Sequence, residues 1–260
     1  MSAEKLIRYL LNENPEYAKI PIPISKSEQF RLYRSLVNIR PAAAASAEYL
    51  AEEDEFLRRM TAEKGVTHIA DLTPVEGGIY LWQGDITTLD CGAIVNAANS
   101  AMTGCYRPCH SCIDNCIHTF AGVRLRLECA EIMEKQGFSE PTGRAKLTAA
   151  YNLPCGCVIH TVGPIVQGKL TAEHCRQLQS CYSSCLELAA KSGIDSIAFC
   201  CISTGVFGFP KREAAEIAVA AVREFLKTHS IKVIFNVFGD DDREIYEKLL
   251  GKDRTAESRA

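Results

Sequence analysis

Apolar residues recur at helical spacing in the first part of the chain. Residues 6–11 place leucine and isoleucine on one face, residues 30–37 repeat the pattern up to Arg40, and residues 49–60 repeat it again. Apolar faces of this kind need a partner against which they can be buried. The pattern therefore predicts a small helical layer over residues 1–75 that packs on the rest of the chain.

From about residue 77 the pattern changes to short apolar runs that alternate with helical stretches. The strand-like runs are GIYLWQGDIT, AIVNAAN, LTAAYNLP, CVIHTVGP, DSIAFCCIST and VIFNVF. Helices are predicted at about 113–136, 172–192 and 241–250, and another one opens at Pro210, a residue that suits a first helical turn. Strands that alternate with helices predict a largely parallel sheet covered on both faces.

Polar and glycine-rich segments follow several of these strands, where ligands collect in parallel sheets. Asp85 could accept hydrogen bonds from an exocyclic amine, or it could be an ordinary turn or cap residue. The amides of Asn96 and Asn99 either tie loops together or bind ligand hydroxyls. The loop from Ser203 to Phe209 is either a plain turn or a run of N–H groups that cradles a diphosphate.

The cysteines are concentrated in one segment. The chain has 13 cysteines, and four of them lie in GCYRPCHSCIDNCIH, residues 104–118. Thiolate and imidazole are preferred zinc ligands, and Cys105, His110 and Cys112 would leave a fourth position open, as catalytic sites require. Two other interpretations remain: free cysteines buried as small apolar residues, or a closed structural site made by Cys105, Cys109, Cys112 and Cys116.

Asp114 directly follows this cluster at the start of a predicted helix. In that position a carboxylate can cap the helix or interact favourably with the helix dipole. Beside a metal-bound water it could instead act as a general base or orient the water. The residue pattern leaves both roles open.

Composition narrows the class of protein. The chain of 260 residues is 47% hydrophobic and 23% charged, which is typical of globular proteins and excludes collagen, coiled-coil and wholly disordered chains. A formal net charge of −3 argues against binding nucleic acid through bulk electrostatics. Without a transmembrane run or a signal-peptide pattern, we expect no membrane partner, cytoplasmic localisation and free thiols in a reducing compartment.

In chain order, the motifs GDIT, IVNAANS, DNCIHTFAG, VIHTVGP, ISTGVFGFP and VIFNVF resemble those of a macrodomain. The ordinary hydrolase branch has a glycine-rich loop between NAANS and the IH motif, whereas this chain has GCYRPCHSCIDN. That insertion resembles the zinc-containing branch found in microbes alongside sirtuin-type ADP-ribosyltransferases and lipoyl-carrier proteins. The N-terminus, with LVNIRP and the later LWQGDIT, is similar to the same branch, so the resemblance spans nearly the whole chain.

The resemblance implies a three-layer α/β/α macrodomain with a mixed, mostly parallel sheet at residues 76–250. A helical extension packed on this core is expected at 1–75, and a flexible tail is expected at 251–260. The implied function is removal of mono-ADP-ribose from modified proteins by a zinc-dependent hydrolase of the glycosidase type. The alternative is a reader module that binds ADP-ribose without cleaving it and holds a structural zinc.

The resemblance also assigns roles to residues. Zn²⁺ is the implied cofactor, with Cys105, His110 and Cys112 as ligands and with Cys109 and Cys116 outside the ligand set. Asp114 and Asn99 are the implied catalytic residues. The implied ADP-ribose contacts are Asp85, Ile86, Asn96, Asn99, Ser203, Thr204, Gly205, Val206, Phe207, Gly208, Phe209, Asn236 and Phe238.

Within the ADP-ribose site, the resemblance assigns adenine to Asp85 and Phe238 and the diphosphate to the loop from Ser203 to Phe209. It places Asn96 and Asn99 near the distal ribose, with Asn99 the closer of the two. The implied partners are ADP-ribose and a mono-ADP-ribosylated protein, with a lipoyl-carrier protein as the candidate substrate. A sirtuin-type ADP-ribosyltransferase is the implied functional partner.

Overall fold

The computed structural model describes residues 3–251. The helices are α1 (Glu4–Asn12), α2 (Lys26–Ile39), α3 (Ala47–Lys64), α4 (Ile113–Ala121), α5 (Val123–Gln136), α6 (Ala172–Lys191), α7 (Lys211–Leu226) and α8 (Asp240–Gly251). The strands are β1 (Thr67–His68), β2 (Ile79–Gln83), β3 (Leu89–Asp90), β4 (Ala93–Ala98), β5 (Ala145–Ala149), β6 (Cys157–Val162), β7 (Ser196–Phe199) and β8 (Lys232–Val237).

The central sheet has the strand order β2-β8-β7-β4-β6-β5. Neighbouring strands are parallel, except that β5 runs antiparallel to β6. Helices α6, α7 and α8 pack on one another and on the sheet, while α4 and α5 contact β4 and β5. The fold is therefore a three-layer α/β/α arrangement with a mixed, mostly parallel sheet, and each of the six predicted strand runs contributes a strand.

The prediction of one continuous helix over 113–136 is wrong in one respect. The segment forms two helices, α4 and α5, which meet at Gly122. Gly122 has a φ of +93°, and a Cβ there would lie 2.6 Å from Oε2 of Glu53. That same carboxylate oxygen accepts a hydrogen bond of 3.0 Å from the N–H of Val123, the first residue of α5. The break therefore depends on a residue of α3, seventy positions earlier in the chain.

Helices α1 to α3 form the predicted N-terminal layer. Their buried faces carry Leu6, Leu10, Tyr33 and Leu57, and α2 packs against α4. Ser25 and Ser46 cap α2 and α3 by accepting hydrogen bonds from main-chain N–H groups three residues later.

The layer has a buried polar centre as well as an apolar face. The hydroxyls of Tyr33 and Tyr49 donate to Oε1 of Glu53 at 2.8 and 2.9 Å. Burial raises the pKa of Glu53, although the hydrogen bonds from Val123, Tyr33 and Tyr49 act in the opposite direction. A nearly inaccessible carboxylate thus joins α2, α3 and the start of α5.

A short parallel pair of strands is a feature that the sequence pattern does not predict. Thr67 pairs with Leu89 and His68 with Asp90, so β1 joins the segment after α3 to the turn that follows β2. Two-residue strands are too short to show a period in the sequence.

Two further predictions concern the chain as a whole. Every cysteine lies within the described residues and is a free thiol. None of the helices at 3–251 is long and apolar enough to cross a bilayer. The tail predicted at 251–260 lies outside the described residues, apart from Gly251 at the end of α8.

Candidate active site

The polar segments singled out in the sequence meet at one edge of the sheet. Asp85 follows β2, Asn99 follows β4, Gly163 follows β6, and Phe238 follows β8. The loop from Ser203 to Phe209 lies between β7 and α7. Because these strands are parallel, their carboxyl ends lie at the same edge, where such folds place ligands.

A buried carboxylate lies beneath this edge. Asp114, in the first turn of α4, accepts hydrogen bonds from Nδ2 of Asn96 at 2.8 Å and from Nδ2 of Asn99 at 3.4 Å. Burial raises the pKa of Asp114 to about 6, although the hydrogen bond from Asn96 and the charge of Arg126 act to lower it. Two amides at the end of one strand thus orient a single acid.

Asn96 is 0% exposed, and its side chain faces other buried groups. Besides Asp114, its Nδ2 lies 3.1 Å from Nδ1 of His160, the residue paired with it across β4 and β6. This geometry makes Asn96 a residue that positions Asp114, and the expected contact with the distal ribose stays a prediction.

Asn99 occupies a more open position at the end of β4. Its Nδ2 donates to the carbonyl of Gly104 at 3.1 Å, and its Oδ1 accepts from the N–H of Ala101 at 2.9 Å. The side chain therefore shapes the turn that leads into residues 104–112, here called the cysteine loop.

Three side chains of the cysteine loop converge. One ligand atom from each of Cys105, His110 and Cys112 lies within 4.8 Å of the others, and Sγ of Cys105 is 3.7 Å from Nδ1 of His110. In a tetrahedral zinc site, bonds of the usual lengths place S and N ligand atoms about 3.6 Å apart. The donor types and their spacing therefore fit zinc, and three protein ligands leave a fourth position open.

The other two cysteines of the segment face α2. Sγ of Cys109 lies 3.2 Å from Oγ of Ser35 and 3.4 Å from the carbonyl of Arg31. Sγ of Cys116 accepts a hydrogen bond of 3.5 Å from the guanidinium of Arg34. The described structure therefore does not bring the four cysteines together as a closed site.

Two buried histidines, His118 and His160, lie near Asp114, and the sequence pattern predicts no role for either. Nε2 of His118 lies 3.6 Å from Oδ1 of Asp114, and neither ring nitrogen of His118 has a hydrogen-bond partner within the described structure. Burial holds the pKa of His118 well below its usual range and lowers that of His160 to about 4, so both are neutral at pH 7.

His118, Cys129 and His160 form a second group whose ligand atoms lie within 4.8 Å of one another. Nδ1 of His160 accepts from the Asn96 amide, so its Nε2 carries the proton and donates to Oγ1 of Thr148 at 2.8 Å. Because Nε2 of His160 already binds Thr148, it is not available to a metal ion. We therefore interpret His118, Cys129 and His160 as buried core residues.

At the far side of the edge, Asp85 caps a short turn. Its Oδ1 accepts from the N–H and the hydroxyl of Thr87 at 3.0 and 2.6 Å, and its Oδ2 lies 2.8 Å from Nζ of Lys64. Burial acts to raise the pKa of Asp85, but Lys64 and Thr87 outweigh it and hold the pKa below its usual range. The side chain of Ile86 is buried, so only its main chain can face a ligand.

Lys64, the last residue of α3, is a contact that the sequence reasoning missed. Its Nζ lies 2.8 Å from Asp85 and 3.4 Å from the ring centroid of Phe120. Nothing in the spacing of α3 distinguishes this lysine from other charged residues of the helix.

The loop from Ser203 to Phe209 is compact. The N–H of Phe209 donates to the carbonyl of Ser203 at 2.9 Å, and the N–H of Gly208 donates to that of Gly205 at 3.0 Å. Within the described structure no protein acceptor takes the N–H groups of Gly205, Val206 and Phe207, so three consecutive donors remain for an anion.

The segment that follows β6 packs closely against this loop. A Cβ on Gly163 would lie 2.0 Å from Oγ of Ser203, which shows how near the loop after β6 approaches. Val206 is 75% exposed at the loop tip, while Phe209 is buried.

Asn236 and Phe238 differ in what they can contact. Asn236 is buried, and its Nδ2 donates to the carbonyl of Gly84 at 3.0 Å, which ties β8 to the turn that carries Asp85. Phe238 is 80% exposed and free to pack against a flat ligand. Of the two, only Phe238 has a side chain that is open to solvent.

This arrangement is that of an α/β protein that gathers polar side chains and uncommitted main-chain N–H groups at the carboxyl edge of its sheet. Residues 95–218 match the family model of the Macro domain. A Treponema medium protein named protein-ADP-ribose hydrolase is 56% identical over 251 residues, which cover 94% of this chain and 96% of that protein. The chain belongs to the macro domain family.

Two further relatives are informative. A Fusarium oxysporum f. sp. cubense protein, named a probable bifunctional ADP-ribose hydrolase/ADP-ribosyltransferase, is 41% identical over 89% of this chain and 42% of its own length. The Trypanosoma brucei macrodomain in complex with ADP-ribose is 34% identical with a TM-score of 0.64, and the match covers 84% of this chain and 95% of that one.

Proposed function

We propose that the protein is a zinc-dependent hydrolase that removes mono-ADP-ribose from modified proteins. The observation that carries this proposal is the pairing of a buried, amide-held carboxylate, Asp114, with a metal-competent triad that ends two residues before it. The name of the Treponema medium relative, a protein-ADP-ribose hydrolase, supports the same activity.

Binding begins with the diphosphate at the loop from Ser203 to Phe209. The three uncommitted N–H groups at Gly205, Val206 and Phe207 suit an anion without any basic side chain, in keeping with a net charge of −3. Adenine then lies between the carboxylate of Asp85 and the ring of Phe238. Fixing these remote groups places the distal ribose near Asp114 at the carboxyl edge of the sheet. Because the ribose is then already positioned, the entropic cost of the reaction is lower.

The reaction is hydrolysis at the anomeric carbon of the distal ribose. The bond from this carbon to the heteroatom of the modified side chain breaks, and the oxygen of a water molecule bonds to the carbon. Asp114 accepts one proton of the water and passes it to the departing heteroatom, while the second proton stays on the new sugar hydroxyl. Asn99 holds the ribose, and Asn96 holds Asp114.

Cys105, His110 and Cys112 would hold the zinc ion. When bound there, zinc supplies a Lewis acid that stabilises negative charge and makes water more acidic. The fourth, open position of this donor set is the reason for preferring a catalytic to a closed structural site.

The partners follow from the same proposal. The Fusarium oxysporum relative has a hydrolase and a transferase named in one protein, which supports coupling between removal and attachment of ADP-ribose. We infer a sirtuin-type transferase as the partner and a lipoyl-carrier protein as the substrate. Thirteen free thiols favour a reducing compartment, the cytoplasm.

The decisive experiment uses a carrier protein labelled with mono-ADP-ribose. We expect stoichiometric release of free ADP-ribose with unmodified carrier left behind. Tight binding of the labelled carrier without any release would instead show a reader module.

A second measurement separates a catalytic from a structural metal. Zinc content is determined by elemental analysis, and the chelated protein is then followed by thermal melting and by turnover. We expect a folded, ADP-ribose-binding and inactive protein that zinc reactivates. If chelation unfolded the protein and the fraction that remained folded kept full activity, the zinc would have only a structural role.

A further inference from the structure

The cysteine loop is held from outside by α2. The guanidinium of Arg34 donates through Nη2 to the carbonyl of His110 at 2.7 Å and to Oδ1 of Asn115 at 2.8 Å. Its Nε donates to the same Oδ1 at 3.2 Å, so the Nε–Nη2 edge of the guanidinium binds Asn115 and the loop carbonyl together. A residue of the N-terminal layer therefore contacts the main chain of a proposed metal ligand.

Asn115 extends this contact to the rest of the loop. It is fully buried, and its Nδ2 donates to the carbonyls of Cys105 at 3.3 Å and Arg107 at 3.0 Å. Because Arg34 occupies the Oδ1 side, the amide of Asn115 is oriented with its nitrogen toward the loop. Arg34 and Asn115 together bind three loop carbonyls, two of which belong to Cys105 and His110.

Asn38, one turn further along α2, makes a second and separate contact. Its Oδ1 accepts a hydrogen bond of 2.9 Å from the N–H of Cys109, a non-glycine residue whose φ is +52°. A left-handed residue of this type costs free energy, so the loop needs external contacts to keep it. The contacts of Arg34 with His110 and of Asn38 with Cys109 therefore hold the turn that brings His110 toward Cys105.

We propose that Arg34 is a positioning residue for the zinc site: it holds the cysteine loop in the conformation that aligns the three ligands. The inference rests on the proposed function only in taking Cys105, His110 and Cys112 as the ligands. It gives the N-terminal layer a role beyond covering apolar surface, because a loop of nine residues without regular structure is ordered by α2 before the metal binds.

The expected size of the effect follows from contacts of this type in other metal sites. Loss of a group that orients a ligand typically lowers metal affinity about 10- to 100-fold. Lysine retains the charge of Arg34 and one hydrogen bond but cannot reproduce the fork. The order of zinc affinity should therefore be wild type, then Arg34→Lys, then Arg34→Met.

The experiment is a zinc titration of the full chain against a competing chromophoric chelator. Arg31→Met is the matched control, because Arg31 lies on the same helix, is exposed, and contacts the loop only through its carbonyl. We expect wild-type zinc affinity for the control, a loss of about 10- to 100-fold for Arg34→Met and partial recovery with Arg34→Lys.

Two further readouts separate positioning from general stability. The absorption bands of the cobalt-substituted protein should shift in Arg34→Met, and kcat should fall while KM for the labelled carrier is unchanged. Zinc affinity within twofold of wild type, together with unshifted cobalt bands, would overturn the proposal.

Hydrogen exchange of the metal-free chain tests the loop itself. We expect amides at 104–112 to exchange faster in Arg34→Met than in wild type, while the strands of the central sheet keep their protection. If wild type bound no zinc, the proposed function would lose its metal, yet faster exchange at 104–112 would still support the role of Arg34. Unchanged exchange in that case would refute it.

Discussion

The proposed ligand site runs along the carboxyl edge of the sheet, and its two ends are built from different chemical groups. At one end, the buried side chains of Asp114 and Asn96 are joined, and the half-buried side chains of the cysteine loop converge. At the other end, the loop from Ser203 to Phe209 offers main-chain N–H groups, and Phe238 offers an exposed ring. Side-chain groups are lost by single substitutions, whereas main-chain donors respond only to changes in loop shape.

This difference predicts that the two ends can be damaged independently. A change at the end with Asp114 should reduce turnover and leave ADP-ribose binding intact, because the proposed diphosphate and adenine contacts lie elsewhere. A change at the open end should weaken binding and leave the chemical step intact at saturating substrate. Four substitutions test the contrast.

Asp114→Asn should have the largest effect. The amide has nearly the same shape but cannot accept the proton of the attacking water, so turnover should fall by about 10²- to 10⁴-fold. The ADP-ribose Kd, measured by calorimetry, should change little. Asp90→Asn is the control, because Asp90 is half-buried and paired with His68. Full turnover in Asp114→Asn would remove this residue from the mechanism.

Cys112→Ser should abolish zinc binding and reduce turnover by at least about 100-fold, since a Lewis acid contributes several kcal/mol. Cys109→Ser is the matched control from the same loop, because its Sγ contacts Ser35 and the Arg31 carbonyl instead of the triad. Elemental analysis and the release assay measure both. Loss of zinc from Cys109→Ser alone would reassign the ligand set.

Gly163→Ala tests the open end. The added Cβ would lie 2.0 Å from Oγ of Ser203 and 2.9 Å from Cγ2 of Ile202, so these side chains must move, and we expect the proposed diphosphate loop to shift with them. We expect ADP-ribose to bind about tenfold more weakly, the equivalent of one lost hydrogen bond to a charged group. Gly77→Ala, where a Cβ meets nothing within 4 Å, is the control. A reduced kcat at saturating substrate, with an unchanged Kd, would contradict the separation of the two ends.

Lys64→Met should have the smallest effect and the opposite sign. Lys64 takes Oδ2 of Asp85, the oxygen available to an exocyclic amine, so its removal should tighten ADP-ribose binding about two- to threefold, as expected for a partly exposed ion pair. The hypoxanthine analogue, which lacks the amine, should not gain affinity. Lys5→Met, an exposed lysine paired with Glu52, is the control. Weaker binding of ADP-ribose would show that Lys64 assists the adenine site.

Much of the fold could be predicted from the sequence because local pattern determines it. The inner strands β8, β7, β4 and β6 are largely buried apolar runs, and such runs stand out from their surroundings. The break at Gly122 could not be predicted, because it depends on Glu53, and the pair of β1 and β3 is too short to show a period.

The candidate site divides in the same way. Asp85 and Asn99 are visible in the sequence because they follow strands, and the cysteine loop is visible because its composition is unusual. Lys64 and Arg34 could not be predicted as site residues. Lys64 lies 21 positions from Asp85 in the sequence, and Arg34 lies 81 positions from Asn115. Likewise, spacing alone does not separate Cys109 from Cys105; the contact of Cys109 with α2 does.

The carboxylate of Glu53 has a consequence for how this chain can be shortened. It receives the first N–H of α5, and Gly122 leaves no space for anything else in that position. A truncated chain that lacked α3 would remove the acceptor of that N–H and would uncover part of the apolar side of α4, the helix that carries Asp114. The leading helices are therefore not a detachable module, and a related chain without them would need other residues to anchor the start of α5 and to cover α4.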